Sequence, residues 1–275
     1  MTLSLSILTI AGTLYSLAFL FHLAAFLGGR DGISGWGLVL VRVGFLVHTF
    51  FFFSRTKSDV FLIPVSDFGH VMAFFSWALA FVYLVLLARV QSEPFGLILA
   101  PLLALLVGVG LLGFHRGQIA PPSPLNPYFL LHLGTAFFAY ASFTLSSAAA
   151  ILYLVQHRML KRKRGGTFYH RLPSLEALEG LIYQPMAWGT FLLALAVGIG
   201  FLWSKSAFGT FWLWEPKTFL TLVTVFFYCV LIYFHYGKAS RGKRLVVMNL
   251  VAFAFIFLNF FGANFLGTSL HQFLK

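Results

Sequence analysis

The residues best suited to chemistry are a short aromatic segment, Phe208–Lys217, and a few histidines in or beside apolar stretches. The segment reads Phe-Gly-Thr-Phe-Trp-Leu-Trp-Glu-Pro-Lys, with four aromatic residues in seven positions. Aromatic faces stack on flat ligands such as a porphyrin, and Lys217 is suited to pair with a carboxylate at the rim of such a ring. Neutral imidazole is a good axial ligand for haem iron. These residue types point to a site for a flat, metal-containing ring.

The composition requires a bilayer around these residues. Of the 275 residues, 60% are hydrophobic and 9% are charged, whereas soluble domains carry about 25% charged residues. The single cysteine, Cys229, allows no disulfide within the chain and no CxxC pair, which excludes a thiol oxidoreductase and a c-type cytochrome. The net charge of +12 comes from basic residues between apolar stretches. That pattern is typical of membrane loops and excludes a nucleic-acid-binding surface.

Hydropathy predicts an all-α, polytopic integral membrane protein with about eight transmembrane helices, each needing about 20 mostly apolar residues. We expect one transmembrane domain over 1–275. The predicted spans lie near 3–27, 36–54, 68–90, 95–114, 127–157, 183–203, 218–237 and 244–266. The first span lacks a basic n-region and a small-residue cleavage site, so we expect it to be retained and not cleaved as a signal peptide.

The distribution of basic residues predicts the orientation. The longest polar segment, 158–180, contains the run Lys161–Arg164, and basic residues mark the inner side of a membrane protein. Placing that segment inside assigns most of the 19 lysines and arginines to inner loops. With eight spans, both termini are then outside, together with the external loop 204–217 that contains the aromatic segment.

This topology sorts the histidines by side. His132 and His271 are predicted to lie on the outer side, and His235 near the inner face. By position alone, a lone histidine in a helix is more often a hydrogen-bonded structural residue than an iron ligand. An ionisable residue inside a span is costly and is a functional hypothesis by default. The other histidines are expected to be structural, although the first two lie within spans and remain candidates for a functional role: His22, His48, His70, His115, His157 and His170.

The aromatic loop resembles the WWD domain, the tryptophan-rich external loop of CcsA, CcmC and CcmF proteins. That loop is typified by W-G-x-x-W-x-W-D-P-K-E. The matching positions in this sequence are Gly209, Trp212, Trp214, Pro216 and Lys217. Three positions differ from the pattern: Phe208 stands for the first Trp, Glu215 for Asp and Thr218 for Glu.

The histidines extend the resemblance to the CcsA family of cytochrome c assembly proteins. Three histidine-containing stretches are similar to CcsA sequences: Leu130–Gly134 followed by Ala139–Ala141, Phe261–His271, and Ile232–His235. A fourth stretch, 61–67, resembles the F-P-L-S-D sequence before the third span of CcsA proteins, with an insertion. The resemblance covers nearly the whole chain in helix count and order.

The resemblance implies a haem-handling role in the system II pathway. His132 and His271 would ligate the iron of non-covalent haem b outside, and His235 would bind haem entering within the membrane. The partner CcsB, also called ResB, would supply the opposing ligand there. Phe208, Gly209, Trp212, Trp214 and Lys217 would position the haem for attachment to apocytochrome c.

The resemblance also sets expectations for reaction and location. No acid–base pair is visible in the sequence, so no catalytic residue is assigned and any catalysis would rest on proximity and orientation. The chain would be a subunit of a CcsB–CcsA cytochrome c synthase. Its location would be the bacterial cytoplasmic membrane, or an organellar membrane.

Other classes fit the sequence less well. A HemX-like membrane regulator or scaffold linked to haem biosynthesis is the main alternative, because the aromatic loop differs from the family pattern. A CcmC-type haem handler has six spans, whereas this sequence predicts eight. A b-type electron carrier places paired histidines on facing helices, and a transporter shows inverted repeats with broken spans. Neither pattern is present.

Overall fold

The structure is a computed structural model that describes residues 2–28, 31–55, 68–87, 93–113, 126–163, 167–211, 216–237 and 242–265. Within these ranges the chain forms nine helices. Their bounds are α1 (Thr2–Gly28), α2 (Asp31–Arg55), α3 (Phe68–Leu87), α4 (Glu93–Gly113), α5 (Pro127–Lys161), α6 (Thr167–Arg171), α7 (Leu175–Phe208), α8 (Pro216–Tyr236) and α9 (Lys243–Phe265).

Among the described residues, eight helices are long and apolar enough to cross a membrane. This result confirms the predicted all-α, polytopic architecture, in which each span satisfies its own backbone hydrogen bonds. The ninth helix, α6, has five residues and lies within the polar segment 158–180. The helices follow the predicted spans, except that α2, α5 and α7 are longer and α3 ends three residues earlier.

Helix α7 begins eight residues before the predicted span at 183, at Leu175. Hydropathy misses these first turns because Glu176 and Glu179 lower the average. The opposite face is nevertheless apolar and buried, as at Leu178. Ser174 is the N-cap residue, and its hydroxyl accepts a hydrogen bond from the backbone N–H of Ala177 at 3.2 Å. At its other end α7 continues to Phe208, so the first five residues of the predicted loop 204–217 are helical.

The spans form two groups. In the first group, α1 packs against α2 and α4, and α3 packs against α4. In the second group, α5 and α7 make the most extensive pair, and α8 and α9 pack beside them. Contacts of α3 and α4 with α5 join the two groups. The long helix α5 is therefore the central element, and it is the most buried of the spans.

Small and polar side chains hold the second group together, as expected where lipid removes the hydrophobic drive for helix association. Gly189 of α7 lets that helix approach α5 closely, since a Cβ there would lie 3.0 Å from the ring of Phe143. The Ser146 hydroxyl donates to the carbonyl of Ile182 at 2.8 Å. Asn249 of α9 donates to the same Ser146 oxygen at 3.0 Å. One hydrogen-bond chain thus connects α9, α5 and α7.

The polar segment is anchored to the first helix by an arginine. Nη1 of Arg171, at the end of α6, donates to the carbonyls of Ala25 and Phe26 at 3.0 and 2.8 Å. These carbonyls belong to the last turn of α1, where carbonyls lack partners within the helix and the dipole favours a cation. Arg171 therefore caps the C-terminal end of α1, although it belongs to a different helix of the same chain.

Replacing Arg171 with alanine is expected to lower the thermal unfolding midpoint of the detergent-purified protein by about 3–10 °C. Hydrogen bonds from a charged group contribute about 1.5–3 kcal/mol, and 1 kcal/mol corresponds to about 2–4 °C in a chain of this size class. The measurement is tryptophan fluorescence during heating. The matched control is Lys161→Ala, because Lys161 is exposed at the end of α5. Equal midpoints for the two variants would contradict the capping role.

Candidate functional site

A cavity of about 100 Å³ opens beside His132, between α5, α7, α8 and α9. Its wall combines an imidazole, an amine and aromatic rings. We call it the histidine cavity, defined by His132, Trp203, Phe211, Lys217 and Phe260. Pockets that enclose a whole small molecule measure about 300–1,000 Å³. The histidine cavity therefore receives the edge of a ligand and does not enclose all of it.

A hydrogen bond to α7 orients the imidazole of His132. Its Nδ1 lies 2.7 Å from the carbonyl oxygen of Ala196 on α7. A carbonyl oxygen only accepts, so Nδ1 carries the proton in the neutral ring and Nε2 carries the lone pair. A histidine that donates from one nitrogen to a backbone carbonyl is oriented to bind a metal through the other.

Helix α7 is shaped to receive that imidazole. One turn after Ala196, a Cβ added to Gly200 would lie 2.9 Å from His132 Nδ1 and 3.1 Å from its Cε1. Glycine therefore leaves the space in which the ring sits. Three residues further on, the indole of Trp203 lies nearly parallel to the imidazole, with ring centroids 6.1 Å apart and planes at 18°. The positions 196, 200 and 203 share one helix face.

The chain leaves α7 through a glycine that the geometry requires. Gly209 has φ 77° and ψ −3°, the left-handed conformation of a helix C-cap, which a residue with a Cβ adopts only with strain. Its N–H donates to the carbonyl of Lys205 at 3.1 Å, and Lys205 Nζ donates to the carbonyl of Gly209 at 2.9 Å. The Ser204 hydroxyl donates to the carbonyl of Thr210 at 2.7 Å. These bonds fix the start of the aromatic loop.

The two phenylalanines of the loop have different surroundings. Phe208 packs edge-on against Trp203, with centroids 5.7 Å apart and planes at 75°, and so supports the cavity wall from behind. Phe211 lines the histidine cavity itself and is 57% exposed. Lys205 Nζ lies 5.2 Å from the centroid of the Phe211 ring. Phe211 was not among the predicted site residues, although the aromatic motif contained it.

Lys217 belongs to the first turn of α8 and lines the histidine cavity. The Thr221 hydroxyl donates to the Lys217 carbonyl at 2.8 Å and accepts from Nδ2 of Asn259 at 3.0 Å. These bonds connect the start of α8 to α9. The predicted residues His132 and Lys217 are therefore brought together, 85 positions apart in the sequence, at one cavity.

His235 lies away from the histidine cavity, near the other end of α8. At 1.5 Å per residue it is about 27 Å from Lys217 along the helix axis. Its ring stacks on Tyr183 of α7, with centroids 3.4 Å apart and planes at 15°. The structure thus places the two described histidines of the prediction at opposite ends of the second helix group.

Several predicted residues lie outside the described part of the chain. They are Trp212, Trp214 and His271, together with Glu215 and the 61–67 stretch. The proposed roles of Trp212, Trp214 and His271 remain predictions from the sequence.

The histidines of the first helix group are buried among other side chains. His22 Nδ1 lies 3.4 Å from the hydroxyl of Ser34. His48 Nδ1 lies 3.4 Å from the hydroxyl of Tyr15. His70 is likewise buried. None of the three lines the histidine cavity.

Besides Phe211, the sequence analysis missed two residues that define the cavity, Trp203 and Phe260. A signal for Trp203 existed, because Ala196, Gly200 and Trp203 recur at helical spacing directly before the aromatic loop. Phe260 comes from α9 and meets the ring of Tyr140 edge-on at 5.7 Å. No local pattern marks it among the 35 phenylalanines of the chain.

Fold and site together define a class: a multi-pass membrane protein whose helices converge on a cavity with an oriented imidazole, a lysine and several aromatic rings. Comparison with known proteins identifies the family. Residues 65–271 match the family described as "Cytochrome C assembly protein". Because the match covers well over half of the chain, the protein belongs to this family. Membership supports a role in cytochrome c biogenesis, with the partners of that process, and implies haem handling.

Individual relatives agree with the family. The chain is 27% identical over 257 residues to Protein HemX of Brevibacillus brevis, which covers 90% of this chain and 92% of that protein. It is 24% identical to the cytochrome c biogenesis protein CcsA of Guillardia theta, with 76% of each chain covered. The CcsA of Porphyra purpurea is also 24% identical, with 76% of this chain and 78% of the relative covered.

The described residues of the histidine cavity fit haem in their chemistry. The His132 tautomer presents Nε2 as a ligand for iron. Lys217 offers a cation for a propionate, and the rings of Trp203, Phe211 and Phe260 offer apolar surface for the macrocycle. The small volume of the cavity means that further residues must cover the remainder of so large a ring.

Proposed function

We propose that this protein binds haem at the histidine cavity and presents it on the outer side of the membrane for covalent attachment to apocytochrome c, in the system II pathway. The observation that carries the proposal is the 2.7 Å hydrogen bond between His132 Nδ1 and the carbonyl of Ala196. It fixes an imidazole whose Nε2 carries the lone pair, at a cavity that also contains a lysine and aromatic rings.

Each residue has a separate task in this proposal. His132 provides one axial ligand of non-covalent haem b, and His271 provides the other. Lys217 pairs with a propionate, while Trp212 and Trp214 cover the exposed face of the ring. Phe208 and Gly209 hold the loop in place, as their contacts with Trp203 and Lys205 indicate.

The bound haem supplies the vinyl groups that form thioether bonds with the cysteine thiols of the apocytochrome. The chain contributes binding and orientation, since holding two reactants in a productive geometry removes much of the entropic cost of their encounter. The proposal assigns no acid–base residue. A CcsB partner completes the synthase.

His235 is proposed to bind haem at an earlier stage, within the membrane, with its opposing ligand from CcsB. Its distance of about 27 Å from Lys217 along α8 supports two separate haem positions and not one. The orientation that puts the histidine cavity outside rests on the basic residues of the 158–180 segment. A protease-sensitive tag fused after Lys275 tests it, because cleavage from outside intact spheroplasts is expected.

Replacing Lys217 with glutamine is expected to weaken haem binding by about three- to tenfold, because a half-buried charge pair contributes more than an exposed one. The measurement is a haem titration of the detergent-purified protein followed by absorbance. The matched control is Lys161→Gln, which also removes one lysine charge. Lys161 is at the C-terminal end of α5, whereas His132 is near the N-terminal end of that helix. An equal loss in both variants would assign the effect to net charge and not to the cavity.

The experiment that tests the proposed function combines a spectrum with a maturation assay. The protein is purified in detergent, and a pyridine haemochrome assay quantifies its haem. It is then co-expressed with a CcsB partner and an apocytochrome reporter, and holocytochrome is measured by haem staining. Bound b-type haem together with holocytochrome is expected. Bound haem without holocytochrome would refute the attachment role, and absence of haem in both settings would refute haem presentation.

The match to Protein HemX favours a second candidate function, a membrane regulator or scaffold linked to haem biosynthesis. That relative is covered over 92% of its length, more than either CcsA relative above. The co-expression assay separates the two candidates. A regulator changes cellular haem levels when deleted but gives no holocytochrome with CcsB.

A further inference from the structure

A second cavity, of about 200 Å³, lies between α3, α4, α5 and α9. We call it the apolar cavity; residues that define it are Leu102, Thr144, Ser147, Ala148, Ile151 and Phe257. Its described lining contains no charged side chain, and a few hydroxyls are its polar groups. Ile151 and Phe257 are 45% and 56% exposed, so the cavity opens sideways where a bilayer surrounds the protein.

The face of α5 that lines this cavity carries two arginines nearer the C-terminal end of the helix. Its lining residues 144, 147, 148 and 151 follow the helical spacing of one face. The same face recurs seven positions after Ile151, at Arg158, and four positions later at Arg162. Both arginines are exposed. At 1.5 Å per residue, Arg158 lies about 10 Å beyond Ile151 along the helix axis.

We propose that the apolar cavity and the Arg158–Arg162 pair together bind an anionic phospholipid of the leaflet next to the basic segment. One acyl chain occupies the cavity, and the phosphate contacts the two guanidinium groups. Arginine matches the geometry of a phosphate oxygen pair. Basic residues at the end of a groove between transmembrane helices form the surroundings that anionic head groups prefer.

The depth of the cavity agrees with this occupant. Half of the hydrocarbon core measures about 15 Å. Ile151 and Thr144 lie about 10 and 21 Å from Arg158 along α5. The cavity therefore covers the lower part of one leaflet and the bilayer centre, where an acyl chain ends.

The test compares two lipids in a thermal unfolding experiment. Detergent-purified protein is supplemented with phosphatidylglycerol or with phosphatidylcholine of the same acyl chains. Phosphatidylglycerol is expected to raise the unfolding midpoint by about 5–10 °C more than phosphatidylcholine at saturating concentration. In the double variant Arg158→Gln, Arg162→Gln this difference is expected to disappear. Equal responses of the unmodified protein to both lipids would overturn the proposal.

A matched variant separates a specific site from general charge. Lys161 and Lys163 belong to the same exposed run. Lys161 lies beside the arginine face, and Lys163 lies beyond the end of α5 with φ 52°. The double variant Lys161→Gln, Lys163→Gln removes the same charge and is expected to keep the phosphatidylglycerol response. Loss of the phosphatidylglycerol response in this variant would indicate binding to a diffuse basic surface and would overturn the proposed site.

A third variant tests the acyl-chain half of the site. Ala148→Leu places a larger side chain in the apolar cavity and is expected to reduce the phosphatidylglycerol shift by at least half. The lipid-free midpoint of each variant shows whether it is folded, and the arginine pair tests the site independently if Ala148→Leu does not fold. An unchanged shift in folded Ala148→Leu protein would overturn the cavity as the binding place.

Discussion

Replacing His132 with glycine is expected to lower the haem retained by the purified protein at least about tenfold. Changes to residues that only orient a metal ligand already cost about 10–100-fold in affinity, and loss of the ligand itself costs more. His132 is oriented by its hydrogen bond to Ala196 and lies against Gly200, and in the proposed function its Nε2 ligates the iron. The measurement is haem per mole of protein in the pyridine haemochrome assay.

A chemical rescue makes the result specific. His132→Gly leaves a space the size of an imidazole at the cavity wall, so free imidazole added with haem is expected to restore much of the binding. The control is His157→Gly, because His157 stacks on Tyr153 at a ring distance of 6.0 Å on the other side of the membrane span. Haem loss without rescue, or equal loss in the control, would show that His132 acts through folding and not as a ligand.

The fold could be predicted from the sequence because hydropathy measures what a bilayer selects. The error at α7 has a physical cause. Residues 175–182 carry two glutamates on one face and bury leucines on the other, which is an amphipathic pattern that a simple average reads as polar. The capping hydroxyl of Ser174 was the local signal for the true start.

The site could be predicted only in part, because its members meet through helix packing. His132 and Lys217 came from the family resemblance, and the structure brings them to one cavity. That Gly200 would face His132 depends on the register between α5 and α7, which no local pattern encodes. Counting spans predicted that His235 lies apart from His132, and the structure has His235 near the end of α8 that is remote from Lys217.

Three aromatic rings lie between the two cavities. Tyr140 and Phe260 line both the histidine cavity and the apolar cavity. Phe137 meets both rings edge-on, at 6.1 and 6.0 Å. These three rings form the partition between a polar-edged site and an apolar one. The partition keeps the charged groups of a ligand in the histidine cavity away from the interior of the bilayer.

Replacing Gly200 with valine is expected to lower haem affinity by about 10–100-fold, although the His132 residue itself is retained. The added Cβ would lie 2.9 Å from His132 Nδ1, which is too close, and the imidazole is the group that can move. Its displacement breaks the hydrogen bond to Ala196 and with it the orientation of Nε2. The measurement is a haem titration together with the reduced absorption spectrum, whose bands report the axial ligands.

The chain provides a matched control two residues away. Gly198 lies in the same helix, and a Cβ added there meets nothing within 4 Å. Gly198→Val therefore carries the same change in helix propensity without touching the imidazole, and its haem affinity is expected to stay within about twofold of the unmodified protein. If both variants lose haem equally, the effect comes from the helix and not from the ligand. If only Gly200→Val loses it, the position of the His132 ring, and not merely its presence, decides whether this cavity holds haem.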